Sequence, residues 1–239
     1  MLWKRLKRPR FLLVYPFIWL LFLSAQISET SLRVGIAIIV CGELLRLWAN
    51  GYIGHEKVNR TQQQRGDPKV GRLITAGPYA FVRHPLYLGT LIIGAGLCLV
   101  VLSVWVAVVF LCAFMVVYRR KMAEENGMLR AEYPQAYELY RPAVPAFLPT
   151  WHRYPNREGR WSWRGIGASK EWKTVIWVVV LVIVLYFWEE SVQQREWLFD
   201  ERPVFRLILL GVCLALMSAD GVIELVLRRR RAARTPAEA

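Results

Sequence analysis

From Leu86 to Tyr118 the chain runs for 33 residues without an Asp, Glu, Lys or Arg. At about 1.5 Å per residue, one helix of that length would reach roughly 50 Å, well past a hydrocarbon core of about 30 Å. The run is too long for one crossing. It predicts a tight hairpin of two helices that turns near Val101 to Ser103. Four further stretches, 11–27, 34–49, 174–188 and 207–227, are apolar enough to count as spans, which makes about six transmembrane helices in an all-α integral membrane protein.

The basic residues set the orientation. Of the 32 Lys and Arg, 27 fall in 1–10, 50–84, 119–173 and 228–239, which six spans place on one side. Arg46 lies inside the second span. The opposite side keeps Arg33, Arg195, Arg202 and Arg206, beside the acidic 189–201 loop. Basic loops stay cytoplasmic, so both termini are expected there in a multi-pass protein. A single span over 86–118 would put two basic loops on opposite sides, which favours the hairpin again. The N-terminal apolar stretch reads as a retained first helix, because Gln26-Ile27-Ser28 after Ala25 makes a poor cleavage site and a second span follows closely.

A net charge of +14 in a soluble chain would point to nucleic acid. Here the charge sits in blocks between apolar runs. That pattern argues against a soluble globule or a disordered basic tail, and makes anionic lipid headgroups the expected partner rather than nucleic acid. Four regions follow: a basic segment with the first helix (1–34), a core (35–150), a linker (151–172), and two further helices with a basic tail (173–239). Within the core, 120–149 reads as a short helix and then a Pro-punctuated loop. The linker mixes Trp151, Trp161, Trp163 and Trp172 with Arg153, Arg157, Arg160 and Arg164, a composition suited to the headgroup layer. Cys41, Cys98, Cys112 and Cys213 lie in apolar runs without metal-ligand spacing; packing is their expected role, and no metal is expected.

The densest polar motif is Gly77-Pro78-Tyr79-Ala80-Phe81-Val82-Arg83-His84-Pro85-Leu86-Tyr87-Leu88-Gly89. Pro85 suits the first turn of the third helix, where its missing N–H costs nothing. Arg83 and His84 then stand at a helix start whose backbone donors favour an anion. The same residues would serve as an interfacial anchor, with Arg on lipid phosphate and Tyr in the aromatic belt. The residues alone leave both readings open. Glu43 and Arg46 share a helical face, either neutralising each other or lining a substrate passage. Asp220 and Glu224, close to Arg228–Arg231, read as local partners of those arginines or as headgroup contacts.

The sequence resembles the isoprenylcysteine carboxyl methyltransferases and the related membrane phospholipid methyltransferases. The resemblance rests on Gly42-Glu43-Leu44-Leu45-Arg46 with Ala49, His55, Leu73-Ile74-Thr75-Ala76-Gly77-Pro78-Tyr79 and the Arg83-His84-Pro85-Leu86-Tyr87-Leu88-Gly89 string. It continues through Glu124-Glu125, Tyr137, Tyr140, Val144-Pro145 and Pro149, and covers roughly 35–150. It implies a cytoplasmic S-adenosyl-L-methionine site, with His55, Pro78, Tyr79, Arg83, His84, Pro85, Tyr87, Glu124, Glu125 and Tyr137 around the cofactor. Which of the two glutamates carries the family role stays open.

The activity this implies is methyl transfer to a lipophilic acceptor from the bilayer: a prenylcysteine-like carboxylate, an isoprenoid or a phospholipid. Arg83, Glu125 and Arg46 are the candidate catalytic residues, with Arg46 or Arg141 as charge partner of an anionic acceptor. A carboxylate acceptor needs no base. An amine or hydroxyl would pass its proton to Glu124, Glu125 or His84. Two other classes remain: a nicotinamide-dependent membrane reductase, since sterol reductases are similar in an Arg-His loop, and a non-catalytic lipid-binding scaffold.

Overall fold

The computed structural model describes residues 9–54, 72–169, 171–193 and 203–232. The regular structure among the described residues is all helical, with no strand. The chain divides into two compact units, Met1–Glu171 and Trp172–Ala239.

In the first unit, α1 (Pro9–Leu23) leads into α2 (Glu29–Ile53). Ser28 caps α2: its Oγ accepts from Ser31 N at 3.1 Å, and Ser31 Oγ accepts from Ser28 N at 3.0 Å. Gly54 ends the helix at φ 54°, its N–H donating to Asn50 O at 2.8 Å. The expected hairpin is α3 (Pro85–Val101) followed by α4 (Val104–Glu132). Leu102 makes the turn in the left-handed region at φ 53°, and Ser103 caps α4 by accepting from Val106 N. One expectation needs correction. No new short helix begins near residue 120, because α4 continues through the charged stretch to Glu132; α5 (Pro134–Ala143) starts there, at a proline that cannot extend the preceding hydrogen-bond pattern.

Helices α2 and α3 pack through reciprocal glycine contacts. A Cβ on Gly35 would fall 2.8 Å from Gly96 O, and one on Gly96 would fall 2.8 Å from Gly35 O. Gly42 and Gly89 repeat the arrangement at 2.9 and 3.0 Å. With no side chain at these four points the two backbones touch, as small residues permit between apolar helices. At the end of this contact, Ser31 Oγ donates to Val100 O at 3.1 Å. Helix α1 packs on α4, with Phe17 and Phe110 ring centroids 5.2 Å apart. A short helix, α6 (Trp163–Ser169), docks on the end of α2 through Ser162 N donating to Gly51 O at 2.8 Å.

The second unit holds most of α7 (Glu171–Trp188), a π turn (Glu189–Gln193) and α8 (Pro203–Ala232). Val180, Ile183 and Cys213 form its buried core. Asp220 pairs with Lys173 at 3.3 Å; the side chains of Glu224 and of the Arg228–Arg231 cluster, the partners expected from the sequence, lie outside the described residues. Glu171–Ser191 and Val204–Ile223 are long and apolar enough to cross a membrane, and Pro85–Val101 is a shorter apolar helix. Cys98 and Cys213 are buried as packing requires, whereas Cys41 and Cys112 are exposed.

Candidate active site

The Gly77–Arg83 stretch is shaped by its glycine and held by a second strip of chain. Gly77 sits at φ 63°, and a Cβ there would land 2.2 Å from the Tyr52 ring. A 3₁₀ turn, Gly77–Ala80, follows. Residues 144–158 run alongside. Arg83 N and His84 N donate to Pro145 O and Ala146 O at 2.8 and 3.3 Å. Thr150 N donates to Phe81 O at 2.9 Å, and Tyr154 N to Ala80 O at 3.0 Å. Leu73, Ala80, Tyr137, Tyr140, Val144 and Tyr154 form the buried cluster beneath. Tyr140 OH donates to Tyr79 O at 2.6 Å. Burial pushes the Tyr79 and Tyr140 phenols above the ordinary tyrosine range, so both stay protonated.

This frame presents Arg83 beside His84, the N-cap of α3. Arg83 Nε donates to Val144 O at 2.8 Å, and Nη1 donates to Tyr137 Oη at 3.1 Å and Asn126 Oδ1 at 3.4 Å. A guanidinium only donates, which fixes the direction of the network. Tyr137 accepts from Arg83 and gives its own proton to Asn126 Oδ1 at 2.6 Å. The amide oxygen, not its nitrogen, therefore faces this group. His84 Nε2, 3.1 Å from the same oxygen, is then a donor, and His84 Nδ1 lies 3.6 Å from Glu125 Oε2. Tyr87 stacks on His84 at 5.5 Å and donates its hydroxyl to Glu125. All these side chains line one cavity of about 370 Å³.

Comparison with known proteins places this geometry. The model of the family described as phospholipid methyltransferase matches residues 30–136. Over those residues the chain is similar to the phospholipid methyltransferases. The resemblance read from the Arg-His-Pro string is thereby borne out for that segment. The chain is 28% identical over 159 residues to the cobalt-zinc-cadmium resistance protein CzcN of Cupriavidus metallidurans, covering 66% of this chain and 67% of that one. It is 29% identical over 123 residues to the nickel-cobalt-cadmium resistance protein NccN of Alcaligenes xylosoxydans xylosoxydans, spanning about half (52%) of each. No solved structure matches.

Of the sequence-predicted residues, the methyltransferase-like segment brings Arg46, Tyr79, Arg83, His84, Pro85, Tyr87 and Glu125 to the cavity, and Tyr137 joins them from α5. Pro78 is buried in the turn that sets Tyr79 and stays outside the lining. Glu124 is exposed and also outside it; neighbouring residues of a helix point about 100° apart, so one glutamate facing the cavity turns the other away. His55 lies outside the described residues.

Residues that the sequence reading missed are Asn126, Thr90 and Glu171. Arg46 does not take Glu43 as its ion-pair partner: Nε donates to Glu171, the last residue of the first unit, and Nη1 to Thr90 Oγ1 and, at 3.4 Å, Leu86 O. Both Glu43 carboxylate oxygens are buried and find no hydrogen-bond partner among the described residues. A second cavity of about 530 Å³, lined by residues such as Leu44, Trp48, Trp161 and Trp163, lies on a different face of α2 and contains none of the predicted site residues. Among the described residues no cluster of three or more His, Cys, Asp or Glu is placed to hold a metal ion.

Proposed function

We propose that the protein is a membrane-embedded, S-adenosyl-L-methionine-dependent methyltransferase whose acceptor is lipophilic and arrives from the bilayer. The observation that carries this reading is the convergence of Arg83, His84, Tyr87 and Glu125 of the methyltransferase-like segment on one cavity. The residues fit such a cofactor. The volume lies within the range of about 300–1,000 Å³ usual for small-molecule sites. Arg83 has no carboxylate partner among the described residues and suits the cofactor's carboxylate; Glu125 suits its ammonium group. The Tyr79 hydroxyl is buried without a hydrogen-bond partner among the described residues, a cost of about 1–3 kcal/mol that a ligand acceptor would relieve.

The cofactor supplies an activated methyl group. The chain's own part is to align the acceptor, exclude water and, for an amine or hydroxyl acceptor, take up its proton at the Glu125 carboxylate. In this reading six helices cross the bilayer and the site faces the cytoplasm. The exposed Arg160 and Arg164 beside Trp161 and Trp163 meet anionic headgroups. For metal resistance, the property named in both relatives, the same chemistry would act through the methylated product.

One experiment separates this reading from its rivals. Inverted membrane vesicles carrying the protein should bind S-adenosylhomocysteine, sealed right-side-out vesicles should not, and neither should bind a nicotinamide dinucleotide. Nucleotide binding instead would establish the reductase, and binding of neither ligand the scaffold. Binding confined to right-side-out vesicles would overturn the topology alone.

Arg46 is the proposed charge partner of an anionic acceptor, and its geometry sets the test. Removing it alone leaves Glu171 as a buried unpaired carboxylate, so the neutral Arg46→Gln, Glu171→Gln protein is the informative variant. Its Michaelis constant for a prenylcysteine analogue should rise by roughly 10-fold or more, with S-adenosylhomocysteine affinity within about 3-fold of the parent. A parental rate and Michaelis constant in a stable double variant would reduce Arg46 to a structural partner of Glu171.

A further inference from the structure

Arg83 and His84 are neighbours in the loop and Tyr137 comes from α5, yet all three are anchored on one atom, Asn126 Oδ1, at 3.4, 3.1 and 2.6 Å. Asn126 lies on α4 in the turn that carries Glu125, and its side chain lines the same cavity. The three acceptors around the Arg83 guanidinium are Val144 O, Tyr137 Oη and Asn126 Oδ1. None is ionised: Tyr137 donates its proton onward, and the other two are amide oxygens. Arg83 is thus fully oriented while its charge meets no carboxylate among the described residues.

An aspartate at position 126 would have the same shape and would accept the same bonds. It would also place a negative charge against Arg83 and discharge it. The neutral amide does one task without the other. We propose that Asn126 is a specificity-determining residue of the cofactor site: it aims Arg83, His84 and Tyr137 while reserving the Arg83 charge for the carboxylate of the bound ligand. The inference rests on the S-adenosyl-L-methionine reading above and adds to it what keeps Arg83 reserved for the carboxylate end of the cofactor. The Asn126 nitrogen makes no hydrogen bond to the described residues, so its two N–H donors remain for the same carboxylate.

The test compares two ligands on the full-length protein purified in detergent. S-adenosylhomocysteine carries the carboxylate; 5′-methylthioadenosine keeps the nucleoside and sulfur and lacks both carboxylate and ammonium. Wild type should prefer S-adenosylhomocysteine. Asn126→Asp should lose roughly 10- to 100-fold in affinity for it, the scale of one like charge facing an anion a few ångströms away, and change by less than about 3-fold for 5′-methylthioadenosine. Asn126→Ala keeps the Arg83 charge and loosens its aim, so its preference should fall by only about 3- to 10-fold. This variant carries the test if the aspartate protein does not fold.

Parallel losses for both ligands in either variant would mean that Asn126 only supports the fold, and overturn the inference. An unchanged S-adenosylhomocysteine affinity in Asn126→Asp would overturn it as well. Wild-type protein that binds neither ligand would overturn the cofactor reading itself, and this inference with it.

Discussion

Arg83→Ala is expected to bind S-adenosylhomocysteine roughly 10- to 150-fold more weakly than wild type, the effect of losing a charge-assisted contact of about 1.5–3 kcal/mol. The same substitution removes a structural bond, because Arg83 Nε donates to Val144 O in the strip that frames the loop. The backbone of that strip stays attached through Arg83 N to Pro145 O and Thr150 N to Phe81 O, so the fold should survive with a lowered melting temperature. Arg83→Lys separates the two contributions. A lysine keeps the charge but cannot reach Val144 O, Tyr137 and Asn126 with one rigid fork. If charge alone holds the ligand, the lysine protein retains most of the affinity; if aim matters equally, it falls close to alanine. Unchanged affinity in both variants, by equilibrium binding to folded protein, would leave Arg83 as a tie between helices and return its loop to the lipid-anchor reading.

The part of this site that sequence reveals is the part written in local, charged or conformationally special residues. Pro85 marks the start of α3, so Arg83 and His84 were legible as groups at a helix N-terminus. Asn126 was not. An amide does not titrate and sits inconspicuously after two glutamates; its importance comes from Tyr137 and Arg83 arriving from α5 and the loop. Glu171 was hidden for another reason: it lies 125 residues from Arg46, and nothing local links the two. Glu43, three residues from Arg46, offered the nearer partner on spacing alone. Spacing finds the shared face of a helix but says nothing of competing carboxylates on other elements.

The same division holds for the fold. The turn at Leu102 and Ser103 followed from length, because 33 uncharged residues exceed one crossing. The far end of α4 did not. Charges beginning at Arg119 look like a boundary, yet Glu, Lys, Arg, Met and Ala are good helix formers and carry the helix on to Pro134. The pairing of Gly35 with Gly96 and of Gly42 with Gly89 was also invisible. Each helix shows two glycines seven residues apart, and only the antiparallel register matches them.

That register yields the largest expected effect on stability. Glycine inside a helix is normally a weakness: replacing it by alanine gains up to about 1 kcal/mol from propensity alone. At Gly42 and Gly89 the sign should reverse. A Cβ on Gly42 would stand 2.9 Å from Gly89 O and one on Gly89 3.0 Å from Gly42 O, and a carbonyl in a helix cannot rotate aside as a side chain can. Overpacking of this kind costs about 1–3 kcal/mol per site and more for a branched residue, which exceeds the propensity gain. Gly89→Val should therefore lower the melting temperature in detergent sharply. It should also disturb the site, since its Cβ would fall 2.4 Å from Arg46 Cγ. Gly127, in α4 with nothing within 4 Å of its Cβ position, is the internal control: Gly127→Ala should be neutral or stabilising. A Gly89→Val protein that melts like wild type would show that α2 and α3 do not touch backbone to backbone, and the cavity they help to line would have to be built another way.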